Sequence, residues 1–122
     1  MGVRTTKKNK RLDVAVPVDA TGSADNATAT ATLPAPGASL RNFVVKVDAS
    51  FGTSTVSGLL QVKSGTTVIA EKYVHGSGAF DFPDLNGRPA INANEAMSAE
   101  LAASGTGGVL GKVFIQGHKQ SI

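Results

Sequence analysis

The stretch Leu40–Tyr73, LRNFVVKVDASFGTSTVSGLLQVKSGTTVIAEKY, decides the fold. It holds three apolar runs separated by turn-forming residues. Phe43, Val45 and Val47 share one side of an extended strand, against Asn42, Lys46 and Asp48, with Val44 breaking the polar side. Leu60 and Val62 alternate with Gln61 and Lys63, and Val68-Ile69 opens the third run. Successive side chains of a strand point to opposite faces, so the pattern predicts β-sheet with one dry face. The Ser64-Gly65 joint fits a tight hairpin, because glycine supplies the positive φ such a turn needs.

Working outward, Ala27–Leu33 (ATATATL) also has period two, with Thr28, Thr30 and Thr32 on one face. The branched Cβ of threonine suits that geometry. Asp19–Asn26 reads as a polar turn. Before it, Leu12–Val18 alternates strictly, and Pro17 marks an edge strand or a strand end because it lacks a backbone donor. Toward the C-terminus, Ala79–Phe82 is a short strand and 84–94 a loop. Met97, Ala99, Leu101 and Ala103 form another alternating strand. The segment NANEAMSAELAA could be a helix capped by Asn94, but its alternation and the glycines after it favour strand. Val109–Gln116 is the last strand, and residues 118–122 form a tail.

The tally is eight short strands without a helix, the count of an antiparallel jelly-roll-like sandwich. An immunoglobulin-like sandwich is the nearest alternative, but the cysteine and tryptophan marks of antibody-type domains are missing. The organisation expected is an arm over 1–11, a β-sandwich domain over 12–117 and the tail. With 122 residues, 14 glycines and six aromatics, the core is thin and expected to share burial with neighbouring subunits. Val44, Leu59, Ile69, Leu110 and Phe114, opposite the expected core face, would form a second dry surface. A homo-oligomer is expected, a trimer first among closed forms.

Composition narrows the function. There is no cysteine, hence no disulfide or thiolate chemistry. No apolar run suggests a signal peptide or a membrane span, so a soluble chain made in a cytoplasm is expected, with no membrane partner. The net charge of +3 is uneven. Arg4, Lys7, Lys8, Lys10 and Arg11 are five of the twelve basic residues, leaving seven against nine acidic ones in the rest of the chain. Such an arm suits docking on an acidic protein surface or on a neighbouring subunit. Nucleic acid is a poorer fit, because exposed aromatics beside basic residues are wanting.

No catalytic constellation emerges. His75 and His118 lie beside glycines without further ligands, which falls short of a zinc site. Asp81, Asp84 and Asn86 precede Gly87, but Phe82 breaks the calcium-loop pattern. Gly107–Lys112 has the wrong spacing for a phosphate loop. No cofactor, metal or enzymatic activity is expected.

Three segments carry a family resemblance: Gly58–Glu71 (GLLQVKSGTTVIAE), Gly76–Asp84 (GSGAFDFPD) and Asn94–Gly117 (NEAMSAELAASGTGGVLGKVFIQG). Over Leu40–Gly117 the chain resembles small all-β structural proteins of tailed bacteriophages. The resemblance implies a jelly-roll virion component with no catalytic residues. Its expected place is the outer capsid surface as a decoration or cement protein, with the major capsid protein or other virion proteins as partners. A tail, collar or head-fibre part is the alternative within that class. A stand-alone carbohydrate-binding β-sandwich is the alternative outside it.

Overall fold

This computed structural model describes residues 15–53, 55–76, 80–81, 85 and 87–121, with Phe80 and Asp81 described in backbone only. Its strands are β1 Val16–Asp25, β2 Ala29–Leu33, β3 Leu40–Phe51, β4 Ser57–Ser64 and β5 Thr67–His75. They continue with β6 Phe80–Asp81, β7 Arg88–Pro89, β8 Met97–Leu101 and β9 Leu110–Ser121. One sheet has the order β1-β9-β3-β6, with β7 also pairing β3; the other has the order β2-β8-β4-β5. Every pairing is antiparallel. The pairs β1–β9, β2–β8, β3–β6 and β4–β5 are rungs of one long folded hairpin, dealt alternately to the two sheets. That is the jelly roll. Among the described residues, the two-residue β7 is the only addition to the eight strands expected.

Strict alternation explains three of the strands directly. Ala29, Ala31 and Leu33 of β2, Leu60 and Val62 of β4, and Met97, Ala99 and Leu101 of β8 all point into the core. Their neighbours Thr30, Thr32, Gln61, Lys63, Ser98 and Glu100 point out. The β4–β5 hairpin turns through Gly65 and Thr66, with Ser64 opposite Thr67 and Gly65 at φ 60°. This is the tight turn the sequence implies. Pro17 stands on an edge strand, since among the described residues β1 pairs only β9 in its sheet.

Several expectations are corrected. Asp19–Asp25 is not a turn but most of β1. Its polar Asp19, Thr21, Ser23 and Asp25 face out, while Val18, Ala20, Gly22 and Ala24 face in. Residues 12–14 lie outside the described residues. In β3 the register shifts between Val44 and Lys46, a bulge that leaves Val45 unpaired. An extra residue reverses the facing of the strand. Val44 is therefore in the core beside Val47, Val45 is exposed, and Phe43 stacks its ring on His118. Val44 drops out of the expected second dry surface, and Ile69 packs against the core instead. Finally β9 runs through Ser121, so residues 118–121 are strand rather than tail.

The core is thin as expected, with five alanines among its buried residues. Phe51 is the one buried aromatic described, and two glycines make its seat. A Cβ on Gly58 would come 2.8 Å from Phe51 Cζ, and one on Gly111 would come 3.5 Å from Phe51 Cε1. Two more glycines permit close backbone approach. A Cβ on Gly22 would overlap the Thr30 carbonyl oxygen, and one on Gly117 the Phe43 carbonyl oxygen. Gly22 thereby lets β1 of the first sheet lie against β2 of the second.

Candidate interaction surface

The outward face of β1, β9 and β3 is built in cross-strand rows. From one end to the other these are Pro17–His118–Phe43, Asp19–Gln116–Lys46, Thr21–Phe114–Asp48 and Ser23–Lys112–Ser50. The last two rows enclose a trough of about 550 Å3. Half-buried Phe114 lies on its central strand. Thr21 and Ser23 line one side, Asp48 and Ser50 the other, and Lys112 stands at one end. Lys46 Nζ sits 3.4 Å from Asp48 Oδ2 and holds that carboxylate at the edge. Among the described residues, no side-chain hydrogen bond or ion pair engages Thr21, Ser23, Ser50 or Lys112. Two rows further, the parallel Phe43 and His118 rings stack at 4.9 Å.

The outward face of the other sheet pairs long polar side chains across β8, β4 and β5, while the hydroxyls of Thr30, Thr32 and Ser98 make no side-chain hydrogen bond among the described residues. Lys63 Nζ donates to Glu100 Oε1 at 2.9 Å, and Gln61 Nε2 donates to Glu71 Oε1 at 3.1 Å. Tyr73, 62% exposed, stands opposite Leu59 and stacks loosely on His75 at 6.5 Å.

One end of the sandwich is tied by a polar knot. Buried Asn42 donates from Nδ2 to the carbonyls of Pro34 (2.9 Å) and Glu95 (3.0 Å). Buried Ser64 donates to the Glu95 carboxylate and accepts from the Ile91 N–H at 2.8 Å. The Asn92 N–H also reaches Glu95 Oε1, at 3.2 Å. The Ser64 hydrogen bond is the main cause lowering the Glu95 pKa below its ordinary value; desolvation opposes it, and the Asn92 donors add to the lowering. The knot is structural, since it fastens the 90–96 loop to the end of β4.

The arm residues Arg4, Lys7, Lys8, Lys10 and Arg11 lie outside the described residues. Asp84 and Asn86 of the rejected calcium loop lie outside them too. Among the described residues, no group of three or more His, Asp or Glu could hold a metal ion. Among them also, no helix is long and apolar enough to cross a membrane. His118 belongs to β9 and faces Phe43; His75 closes β5. The trough residues escaped the sequence reading because Asp19–Asn26 looks like a turn. The signal that finds them is the inward alternation of Val18, Ala20, Gly22 and Ala24, small residues that still keep period two.

No protein-family model matches this chain, and no curated protein matches it in sequence. In the course of its chain the structure is similar to the CBM36-1 domain of a multidomain xylanase from the hindgut metagenome of Trinervitermes trinervoides. That likeness has 10% identity and a TM-score of 0.48, covering 80% of this chain and 74% of that one. It is similar also to a chain of the acid-stable capsid of Helicobacter pylori bacteriophage KHP30, at 12% identity and a TM-score of 0.45, covering 89% and 91%. A third likeness is the Tobacco streak virus coat protein, at 11% identity and a TM-score of 0.37, covering 87% of each chain. At such values the likenesses carry no functional weight, and the strand order alone establishes the jelly roll.

Proposed function

We propose that this chain is a non-enzymatic structural protein of a bacteriophage virion, bound to the outer capsid surface as a decoration protein. The observation that carries the reading is where the resemblance to phage structural proteins falls. Its motifs fall on strands of the roll: the G-L-L-Q-V segment within β4, T-T-V-I-A-E at the start of β5, the M-S-A-E-L run on β8 and G-K-V-F-I-Q in the first half of β9. A jelly roll repeated over a lattice can be held by many weak contacts that sum. Arg4, Lys7, Lys8, Lys10 and Arg11 are assigned to contacts with the capsid or a neighbouring subunit. Each exposed ion pair contributes little, about 0–1 kcal/mol, so several must form together. A trimer is the proposed assembly.

Mass spectrometry of purified particles tests the proposal. The protein should be present at a copy number on the order of hundreds, as lattice symmetry requires. About a dozen copies or fewer would move it to the tail, collar or head fibres. Its absence from particles would end the virion reading.

A further inference from the structure

We propose that the trough over β1, β9 and β3 is a binding site for a neutral oligosaccharide, with one sugar ring stacked on Phe114. The site does not depend on the protein's place in a particle.

Shape comes first. A concave patch cannot close on its own copy across a two-fold axis without leaving a void, so a second identical trough is a poor occupant. The volume of about 550 Å3 lies inside the range of roughly 300–1,000 Å3 typical of small-ligand sites. Main-chain recognition is closed off at the floor. β9 lies between β1 and β3, so a peptide laid over Phe114, away from the free edge of β1, finds no free row of N–H and C=O groups.

Side-chain chemistry then selects the ligand class. The trough offers an aromatic floor, three hydroxyls (Thr21, Ser23, Ser50), one carboxylate (Asp48) and one ammonium (Lys112). Asp48 is paired with Lys46, and with the neighbouring row counted Asp19 and Asp48 balance Lys46 and Lys112, so a polyphosphate or sulfated chain gains little over a neutral one. A hydroxyl both donates and accepts, a carboxylate accepts, and an ammonium donates. A sugar ring presents the complement: an apolar C–H face for stacking and a rim of hydroxyls of both polarities. The free state of Thr21, Ser23, Ser50 and Lys112 leaves those groups available, with no internal hydrogen bond to break first. An apolar partner would strand them unpaired.

The test is an amide and aromatic NMR titration of the full chain with hexasaccharides of glucose, xylose, mannose and N-acetylglucosamine, each alone. A heparin hexasaccharide serves as the polyanionic control. At least one neutral probe should give saturable shifts centred on Thr21, Ser50, Lys112 and Phe114. Phe114→Ala should weaken that binding about tenfold, the worth of a strong aromatic contact. Phe114→Trp should keep it. Thr21→Lys, on an exposed rim position, should also weaken it and decides the matter should Phe114→Ala disturb the fold. The proposal is overturned by the absence of shifts with every neutral probe. It is overturned equally by binding that survives both weakening substitutions, or by a stronger response to heparin than to any neutral probe.

Discussion

The two sheets of this sandwich present opposite kinds of surface to the outside. Over β2-β8-β4-β5, polar groups answer one another across the strands: Lys63 with Glu100, Gln61 with Glu71. Over β1-β9-β3, Thr21, Ser23, Ser50 and Lys112 surround Phe114 without partners among the described residues. Both faces are polar, so composition alone does not tell them apart. Arrangement does. Thr30, Thr32 and Ser98 of the other face are unpaired as well, but the trough gathers its unpaired hydroxyls and ammonium around an aromatic ring, where they keep their capacity for a ligand.

The sharpest way to break the contrast is to remove the support of the first face alone. Gly22→Ala would drive a methyl group into the Thr30 carbonyl and push β1 away from β2. We expect a loss of about 1–3 kcal/mol in chemical denaturation, typical of overpacking. Ser23→Ala, one residue on and outward-facing, should stay within about 0.5 kcal/mol. Equal losses would mean that β1 is not held against β2 as described.

A second prediction concerns the knot at the end of β4. Glu95 has a lowered pKa in the folded protein, so its contribution to stability is present above the ordinary carboxylate pKa. It is lost as pH falls through the folded value, because the unfolded chain takes up the proton first. Ser64→Ala removes the main cause of the lowering. Its stability curve should therefore be flatter than that of the parent below about pH 4.5, the region of ordinary glutamate titration. Parallel acid limbs for the two proteins would show that Ser64 does not hold the carboxylate.

The smallest effect lies on the outward face of β2-β8-β4-β5. A double-mutant cycle on Lys63 and Glu100, whose side chains are 23% and 29% exposed, should give a coupling of about 0.2–1 kcal/mol. The same cycle on Lys112 and Thr21 of the other face should give none. A measurable coupling there would mean that the trough residues pair with each other, and the contrast between the faces would fail.

How much of this was legible in the sequence depends on what each strand does. β2 and β8 could be read because their inward residues are apolar and their outward ones polar without exception, and β4 because Leu60 and Val62 alternate with Gln61 and Lys63 despite outward Leu59 and buried Ser64. β3 misled because the bulge at Val45 adds a residue in mid-strand, and a period-two count cannot see a change of phase. That one residue sends Val45 outward and brings Val44 into the core. β1 misled for another reason. Asp19, Gly22, Ser23 and Asp25 are turn residues by habit, yet here the glycine marks a close approach to β2 and the polar residues face out from an edge strand. The end of β9 looked like a tail because His118, Lys119 and Gln120 are polar, although they pair with β3 and β1. The trough was invisible for the sum of these reasons. Its residues come from a misread strand, a strand with a hidden phase change and the outward side of a third. Sequence showed Phe114 opposite the core but nothing of its surroundings.

The nested rungs of the roll also set an order in time. The cost of closing a loop grows with its length, so the β4–β5 rung, joined by Gly65 and Thr66, is the least expensive to form. The β1–β9 rung joins Val16 to Lys119 and is the most expensive while the chain between them is open. Each inner rung that closes shortens the effective span left for the next, so the roll should zip from its middle toward its ends. The β2-β8-β4-β5 sheet contains the first rung, while the trough needs the last. A chain still emerging during synthesis can build the β4–β5 hairpin early, but it has no trough until β9 is complete and β1 has come back to meet it.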